Sequence, residues 1–114
     1  MKIKTSELSG VQLDWAVAKC EGEEVRLEKG QLEALWTDNG YKPSTYWAQG
    51  GPIIEREGVL LEPQSDHWDA TLDNGDYVFW RFGPTPLIAA MRCYVANKLG
   101  EEVEIPEEVC DESL

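Results

Sequence analysis

Two stretches of the chain repeat their apolar residues at helical spacing, and the clearer one covers residues 85–99. Thr85 is a suitable N-cap, Pro86 fits the first helical position, and Gly100 can adopt the backbone conformation that ends a helix. The pattern predicts a helix that packs in the core. Its large apolar residues project as one wide stripe: Leu87, Ile88, Met91, Tyr94, Val95 and Leu99.

The second helical stretch covers residues 9–21 and is apolar on two faces. Ser9 followed by Gln12 has the spacing of a capping box, in which the two side chains bond the first free backbone groups of the helix. A helix that is apolar on two faces is expected to lie between other elements. We therefore expect it to pack against the helix at residues 85–99, with Asp14 and Arg92 forming an ion pair.

Alternating apolar and polar residues predict a small antiparallel sheet. The strongest signal lies at residues 68–82, where two β-rich runs flank the turn sequence Asp-Asn-Gly-Asp. Residues 32–36 fit either a strand or one helical turn. Shorter candidate strands lie at residues 2–5, 25–27, 59–62 and 103–105. The prediction is an α+β fold in which helices at about 9–21 and 85–99 pack against a sheet that contains a hairpin near 68–82.

Residues 37–52 are rich in turn-forming residues and have no regular apolar period. The runs Asp-Asn-Gly, Lys-Pro-Ser and Gly-Gly-Pro all disfavour a continuous helix or strand. Residues 53–57 fit either a short helix or an extended piece. We therefore predict that the segment at 47–56 is part of an exposed loop.

Length and charge limit the classes of function. A chain of 114 residues fits one domain, which we place at residues 1–106. The net charge is −12, and residues 101–112 carry seven acidic side chains and no basic one. Residues 107–114 are therefore predicted to be an acidic tail that is dispensable for folding. The charge argues against direct nucleic-acid binding. It favours solubility or, alternatively, contact with a basic surface on a partner.

Residues that commonly carry catalysis or bind metals are sparse. The chain has one histidine, His67, and three cysteines without metal-ligand spacing. We therefore predict no metal, no cofactor and no catalytic residue, and we favour a protein that is not an enzyme. The odd cysteine count, the lack of a secretory signal and the lack of a membrane-length apolar run favour a cytoplasmic location.

Three motifs point to a known family: LDWAVA at 13–18, WAQGGPIIER at 47–56 and GPTPLIAAMR at 83–92. With these motifs the chain resembles the NinX-like proteins of lambdoid phages and prophages, from the first helix to residue 103. The resemblance implies a small accessory protein of a bacterial virus, made in the host cytoplasm. It carries over no catalytic residue, because the family is one of unknown function.

The segment around 47–56 is the candidate binding site, because aromatic, amide and arginine side chains commonly anchor interfaces and ligand pockets. Its glycines could also let the backbone approach a ligand closely. The alternative is a loop that folds its own tryptophan over the core. The candidate binding residues are Tyr46, Trp47, Gln49, Gly50, Gly51, Arg56 and Arg81.

Two classes of function follow. The first is a non-catalytic binding protein that acts on a host or phage protein, with no membrane association and with self-association left open. The second is a small-molecule (nucleotide-like) binding protein or enzyme that uses the 47–56 loop. A closed pocket with convergent polar groups would favour the second class, and a flat, exposed aromatic patch would favour the first.

Overall fold

The computed structural model describes residues 1–111, and it has the predicted α+β architecture. The helices are α1 (Gly10–Glu21), α2 (Trp47–Glu57), α3 (Pro86–Leu99) and α4 (Glu107–Asp111), with a 3-10 turn at Thr5–Glu7. The strands are β1 (Lys2–Lys4), β2 (Arg26–Glu28), β3 (Gln31–Glu33), β4 (Leu60–Pro63), β5 (Trp68–Asp73), β6 (Val78–Gly83) and β7 (Glu102–Glu104).

Helix α3 lies at the centre of the fold, as its apolar stripe predicts. The Thr85 hydroxyl accepts a hydrogen bond from the Ile88 N–H at 3.1 Å, and Pro86 opens the helix. The larger apolar side chains pack on the three-stranded sheet and on α1, and small residues on the opposite side allow close approach. The residues buried along α3 are Leu87, Ala89, Ala90, Met91, Cys93, Tyr94, Val95 and Ala96.

Helix α1 lies between α3 and the β2–β3 hairpin, which confirms the prediction from its two apolar faces. Leu13 and Val17 belong to the main core, whereas Ala18 packs with Leu32 and Tyr41 in a smaller cluster. Gly22 ends the helix in a left-handed conformation, with φ of 71°. Two layers of apolar contact therefore hold α1 in place.

Two predicted polar interactions of α1 are wrong. Within residues 1–111, Ser9 makes no side-chain capping bond, so the capping box does not form. Asp14 accepts from the backbone N–H of Ser44 at 2.8 Å instead of pairing with Arg92. Arg92 donates to the carbonyl oxygens of Leu8 and Phe82. Both side chains therefore satisfy partly or fully buried backbone groups, which would be costly to leave without partners.

Strands β4, β5 and β6 form a three-stranded antiparallel sheet in that order. The predicted hairpin is its β5–β6 half, in register from Trp68 opposite Gly83 to Asp73 opposite Val78. One face of the sheet packs on α3, where Ala70, Leu72 and Phe79 join the core. The other strands pair as β1–β7 and β2–β3, so residues 1–111 contain three small sheets where one was expected.

The pairing of β1 with β7 brings the following segment against the core. Ile3 lies opposite Val103, and the Ile105 N–H donates to the Met1 carbonyl at 2.8 Å. Ile105 and Val109 are both buried in the main cluster. The division at residue 106 stays a prediction, and part of the expected acidic tail, residues 112–114, lies outside the described residues. The burial of Val109 nevertheless changes what we expect of a truncation.

Removing residues 107–114 should lower the free energy of unfolding by about 1.5–3 kcal/mol, the usual contribution of one buried valine side chain. Urea denaturation of the intact and shortened chains measures the difference. Removing only residues 112–114 is the matched control and should leave the midpoint nearly unchanged. Equal midpoints for the intact chain and the 107–114 deletion would show that Val109 contributes nothing.

Candidate functional site

The segment predicted as an exposed loop forms helix α2. The Tyr46 carbonyl accepts from the N–H groups of Gln49 and Gly50 at 3.0 and 2.9 Å, which starts the helix. Gly58 ends it with φ of 70° and donates to the Ile54 carbonyl. Ile53 is buried against the main core. The loop prediction was wrong because its glycines and proline were taken as turn residues, whereas here they lie within a packed helix.

Gly50 has a packing role in α2. A Cβ atom at this position would lie 2.3 Å from the Pro43 carbonyl oxygen and 2.6 Å from Leu87 Cδ2. At Gly51 the nearest atom would be Trp47 Cε3, at an ordinary 3.6 Å. Neither glycine has a positive φ. Gly50 therefore lets α2 approach α3 and the preceding turn, while Gly51 has no such close contact.

The amide of Gln49 is used inside the fold. Its Oε1 accepts from the Lys42 N–H at 2.7 Å, and its Nε2 donates to the Gly40 carbonyl at 3.0 Å. These two bonds hold the turn that precedes α2. The donor and the acceptor that could serve a ligand are therefore already occupied.

Arg56 joins three helices. Its two terminal nitrogens contact the carboxylate oxygens of Glu21 in α1 at 3.1 and 2.5 Å, and its Nε contacts Glu57 at 2.9 Å. One of those nitrogens also lies 3.2 Å from the Tyr94 hydroxyl of α3, which itself donates to Glu21. The hydrogen bonds from Arg56 hold the pKa of Glu21 below its usual range. The planar donor set of Arg56 is thus largely satisfied by the protein.

Arg81 belongs to another part of the fold. Its guanidinium lies 3.0 Å from the Glu101 carboxylate, 3.4 Å from the Thr5 hydroxyl and 2.6 Å from the Trp80 carbonyl. The side chain is mostly buried. These contacts link β6 to the end of the molecule that contains β1 and β7. Arg81 therefore does not share its contacts with the candidate residues of α2.

Tyr46 and Trp47 remain exposed, with 50 % and 52 % of their surface accessible. Tyr46 borders an open cleft of about 300 Å³, and Lys42 Nζ lies 5.9 Å from its ring centre. The side chains that line this cleft are mostly polar, and Gln49 among them is bonded to the backbone. The residues around the cleft are Trp36, Thr37, Asp38, Asn39, Gly40, Lys42, Tyr46, Ala48 and Gln49.

A larger aromatic surface lies on the side of the three-stranded sheet that faces away from α3. Trp80 and Phe82 are 52 % and 49 % exposed, and their ring centres are 5.6 Å apart. Val78 extends this row along β6, and Leu60 of β4 is also exposed. The strand register adds the other members of this face. We call it the outer sheet face: Leu60, Glu62, Asp69, Thr71, Asp73, Val78, Trp80 and Phe82.

Sequence reasoning missed the outer sheet face. The run at 78–82 is almost entirely apolar, so its alternation does not reveal which side is buried. The single charge in this run, Arg81, was instead assigned to the candidate binding site. In the structure Arg81 points inward to bonded partners, and Trp80 and Phe82 take the outward positions.

Three carboxylates lie on or next to this face: Glu62, Asp69 and, in the adjoining turn, Asp66. Gln64 Nε2 donates to Glu62 and Asp69, both at 3.1 Å. His67 lies 2.6 Å from Asp66 and 3.1 Å from Asp69, and its ring meets Phe82 edge to face. The hydrogen bond to Asp66 raises the pKa of His67. The outer sheet face therefore combines an aromatic row with a row of acids.

The family model for bacteriophage P22 NinX matches residues 4–98. The chain belongs to the NinX family. The match covers α1, α2, the three-stranded sheet and nearly all of α3, so the candidate site and the outer sheet face both lie in the part shared with the family. No match was found among curated proteins.

In residues 1–111 no cluster of three or more histidine, cysteine or acidic side chains is arranged to hold a metal ion. Over the same residues, no helix is both long and apolar enough to cross a membrane. Cys93 is buried in α3, and its thiol lies 3.3 Å from the Phe79 carbonyl.

One buried carboxylate fixes the turn before α2. Asp14 is 5 % exposed and binds the Ser44 N–H, next to the Pro43 that Gly50 contacts. Burial raises the pKa of Asp14 to about 6, from 3.8, while the Ser44 hydrogen bond opposes the shift. The turn that positions α2 is thus held by the Asp14 carboxyl group, whose ionisation is disfavoured by burial.

Replacing Gly50 and Gly51 by alanine should have opposite effects. Gly50→Ala should destabilise the protein by about 1–3 kcal/mol, because the new methyl group overlaps the Pro43 carbonyl. Gly51→Ala should stabilise by up to about 1 kcal/mol, through higher helix propensity in the same helix. Chemical denaturation of both variants measures the difference. Similar changes for the two would mean that Gly50 is not needed for close packing.

Asp14→Asn should change the pH dependence of stability. Because the folded pKa of Asp14 is raised, the folded protein binds more protons than the unfolded chain between pH 3.8 and about 6. The contribution of Asp14 to stability is therefore complete below this window and lost above it. The variant should gain up to about 3 kcal/mol relative to the parent as the pH rises from 4 to 7.5. A difference that does not vary with pH, measured by urea denaturation, would contradict this.

Proposed function

We propose that this NinX family member is a non-catalytic binding protein that engages a host or phage protein in the bacterial cytoplasm through the outer sheet face. The observation that carries the proposal is the contiguous apolar row of Val78, Trp80 and Phe82. Exposed patches of this kind commonly mark interaction sites, and tryptophan is the side chain most enriched among interface anchors.

The environment of Trp80 supports this proposal. A tryptophan can escape water by folding over the core, but the inward positions of β6 are already filled by Phe79 and the bonded Arg81. Trp80 and Phe82 instead contact each other on the solvent side. A partner that covers both rings would remove a large apolar area from water, which favours association.

The alternative function, binding or conversion of a nucleotide-like small molecule at residues 47–56, has weaker support. Gln49 and Arg56, which would have to orient such a ligand, are bonded within the fold. The neighbouring cleft is open, with a volume near the lower limit of about 300 Å³ that is typical of ligand pockets. Tyr46 and Trp47, which are exposed, would contact the ligand only under this alternative.

The test is affinity capture from phage-infected cells with the tagged protein and matched variants, followed by mass spectrometry. Trp80→Thr and Phe82→Thr keep β-propensity and should reduce capture of the main protein partner by at least about fivefold, the effect expected of hot-spot residues. Trp47→Thr is the control for loss of an exposed aromatic elsewhere and should leave capture unchanged.

Other results would point away from the outer sheet face. Loss of capture with Trp47→Thr and not with Trp80→Thr would move the site to α2. A small molecule that copurifies in stoichiometric amount and is lost with Trp47→Thr would favour the alternative function. Circular dichroism and denaturation midpoints of each variant separate loss of binding from loss of folding.

A further inference from the structure

The geometry points to a partner segment that is basic and amphipathic, and that lies across the outer sheet face with arginine or lysine side chains between its aromatic row and its acidic row. This inference rests on the proposed function and specifies the chemistry of the partner. It concerns a peptide segment of a protein, because the acidity of the face argues against a phosphate backbone.

The strand register places aromatic and acidic side chains side by side. Phe82 of β6 lies opposite Asp69 of β5, which lies opposite Glu62 of β4. Val78 likewise lies opposite Asp73. Neighbouring strands are about 4.8 Å apart, so a cation placed over Phe82 is also within ion-pairing range of Asp69. Trp80 lies opposite Thr71, and its acidic neighbours on the next strand, Asp69 and Asp73, are diagonal to it. Trp80, in the middle of the row, is the best cation–π acceptor among the side chains.

The charge of this region is only partly compensated, because the one basic side chain beside these acids is His67, which bonds Asp66 and Asp69 and whose pKa is raised by the hydrogen bond to Asp66. Residues 58–83 contain five acidic side chains, Glu62, Asp66, Asp69, Asp73 and Asp76, and one arginine. That arginine, Arg81, is turned inward and paired with Glu101. Gln64, the donor shared by Glu62 and Asp69, is neutral and therefore satisfies hydrogen bonds without cancelling charge. A basic partner would supply the missing opposite charge.

The same charges disfavour a second copy of this chain as the occupant. A symmetric pair would bring two identical acidic rows together, each from a chain with a net charge of −12. Like charges facing each other across an interface cost binding free energy. Charge complementarity thus selects a basic partner over self-association.

The edges of the sheet direct binding to its face. On β6, the Trp80 carbonyl accepts from Arg81 Nη1 at 2.6 Å, and the Phe82 carbonyl accepts from Arg92 Nη1 at 2.9 Å. The opposite edge strand, β4, ends at Pro63, which has no N–H to offer. A partner strand could therefore not pair with these three positions of the edges, whereas the outward side chains are accessible.

The test uses synthetic peptides as probes, with binding to the full chain measured by calorimetry. A 14-residue peptide of arginine and leucine at helical spacing is compared with its glutamate–leucine counterpart and with an arginine–glycine peptide of equal charge. The arginine–leucine peptide should bind at least about tenfold more tightly than either control. Of the three peptides, it alone offers both apolar side chains to the aromatic row and cations to the acidic row.

Charge-matched variants separate specific binding from general attraction to an acidic protein. Glu62→Gln with Asp73→Asn removes two charges from the outer sheet face. Glu24→Gln with Glu28→Gln removes two exposed charges near the β2–β3 hairpin, which forms a separate sheet. The first pair should weaken binding of the arginine–leucine peptide at least about fivefold more than the second, and Trp80→Thr should weaken it by about five- to thirtyfold.

Equal effects of the two charge pairs, or an unchanged affinity in Trp80→Thr, would overturn the inference. A dimer in sedimentation that Trp80→Thr converts to monomer would assign the face to a second copy and overturn it as well. If capture from infected cells depends on Trp80 while the peptides fail these tests, the proposed function stands and only the basic chemistry of the partner is rejected.

Discussion

The fold depends on the burial of one helix on several sides at once. α3 packs on α1, on α2 and on the inner face of the three-stranded sheet, so the main apolar core is built around this helix. Its small residues matter as much as its large ones, because Ala89, Ala90 and Ala96 allow neighbours to approach. Even its polar side chains reach outward to fix other segments: Arg92 bonds the backbone of β6, and Tyr94 bonds the end of α1. The surrounding elements are arranged by how each covers α3.

The parts of this fold that the sequence predicted are those set by local signals. The N-cap of α3 and the turn between β5 and β6 each depend on a few adjacent residues. Helix α2 was missed because the need for Gly50 is explained only by its contacts with Pro43 and Leu87, the latter far away in sequence. The role of Arg56 was likewise set by Glu21, thirty-five residues earlier. The residue types at 47–56 suggested side chains free to bind a ligand. In the structure, Gln49 and Arg56 instead bond to other residues of the protein.

The outer sheet face is what this arrangement leaves exposed. α3 covers one side of the three-stranded sheet, and no described element covers the other side in the same way. Two carbonyl groups of one edge are bonded to guanidinium groups, and the other edge ends in a proline, so these positions cannot pair with another strand, while the aromatic rings stay exposed. The membership of the chain in the NinX family covers this entire region.

The position of α3 in the chain order has a consequence for biosynthesis. α1, α2 and the three-stranded sheet all precede α3 and all bury apolar side chains against it. A growing chain on the ribosome therefore exposes these apolar surfaces until α3 emerges, because no earlier element can replace it. A domain built in this way gains its cooperative stability late in translation, in a single step. In the interval, the excess of acidic over basic side chains in the emerging chain helps to keep neighbouring nascent chains apart.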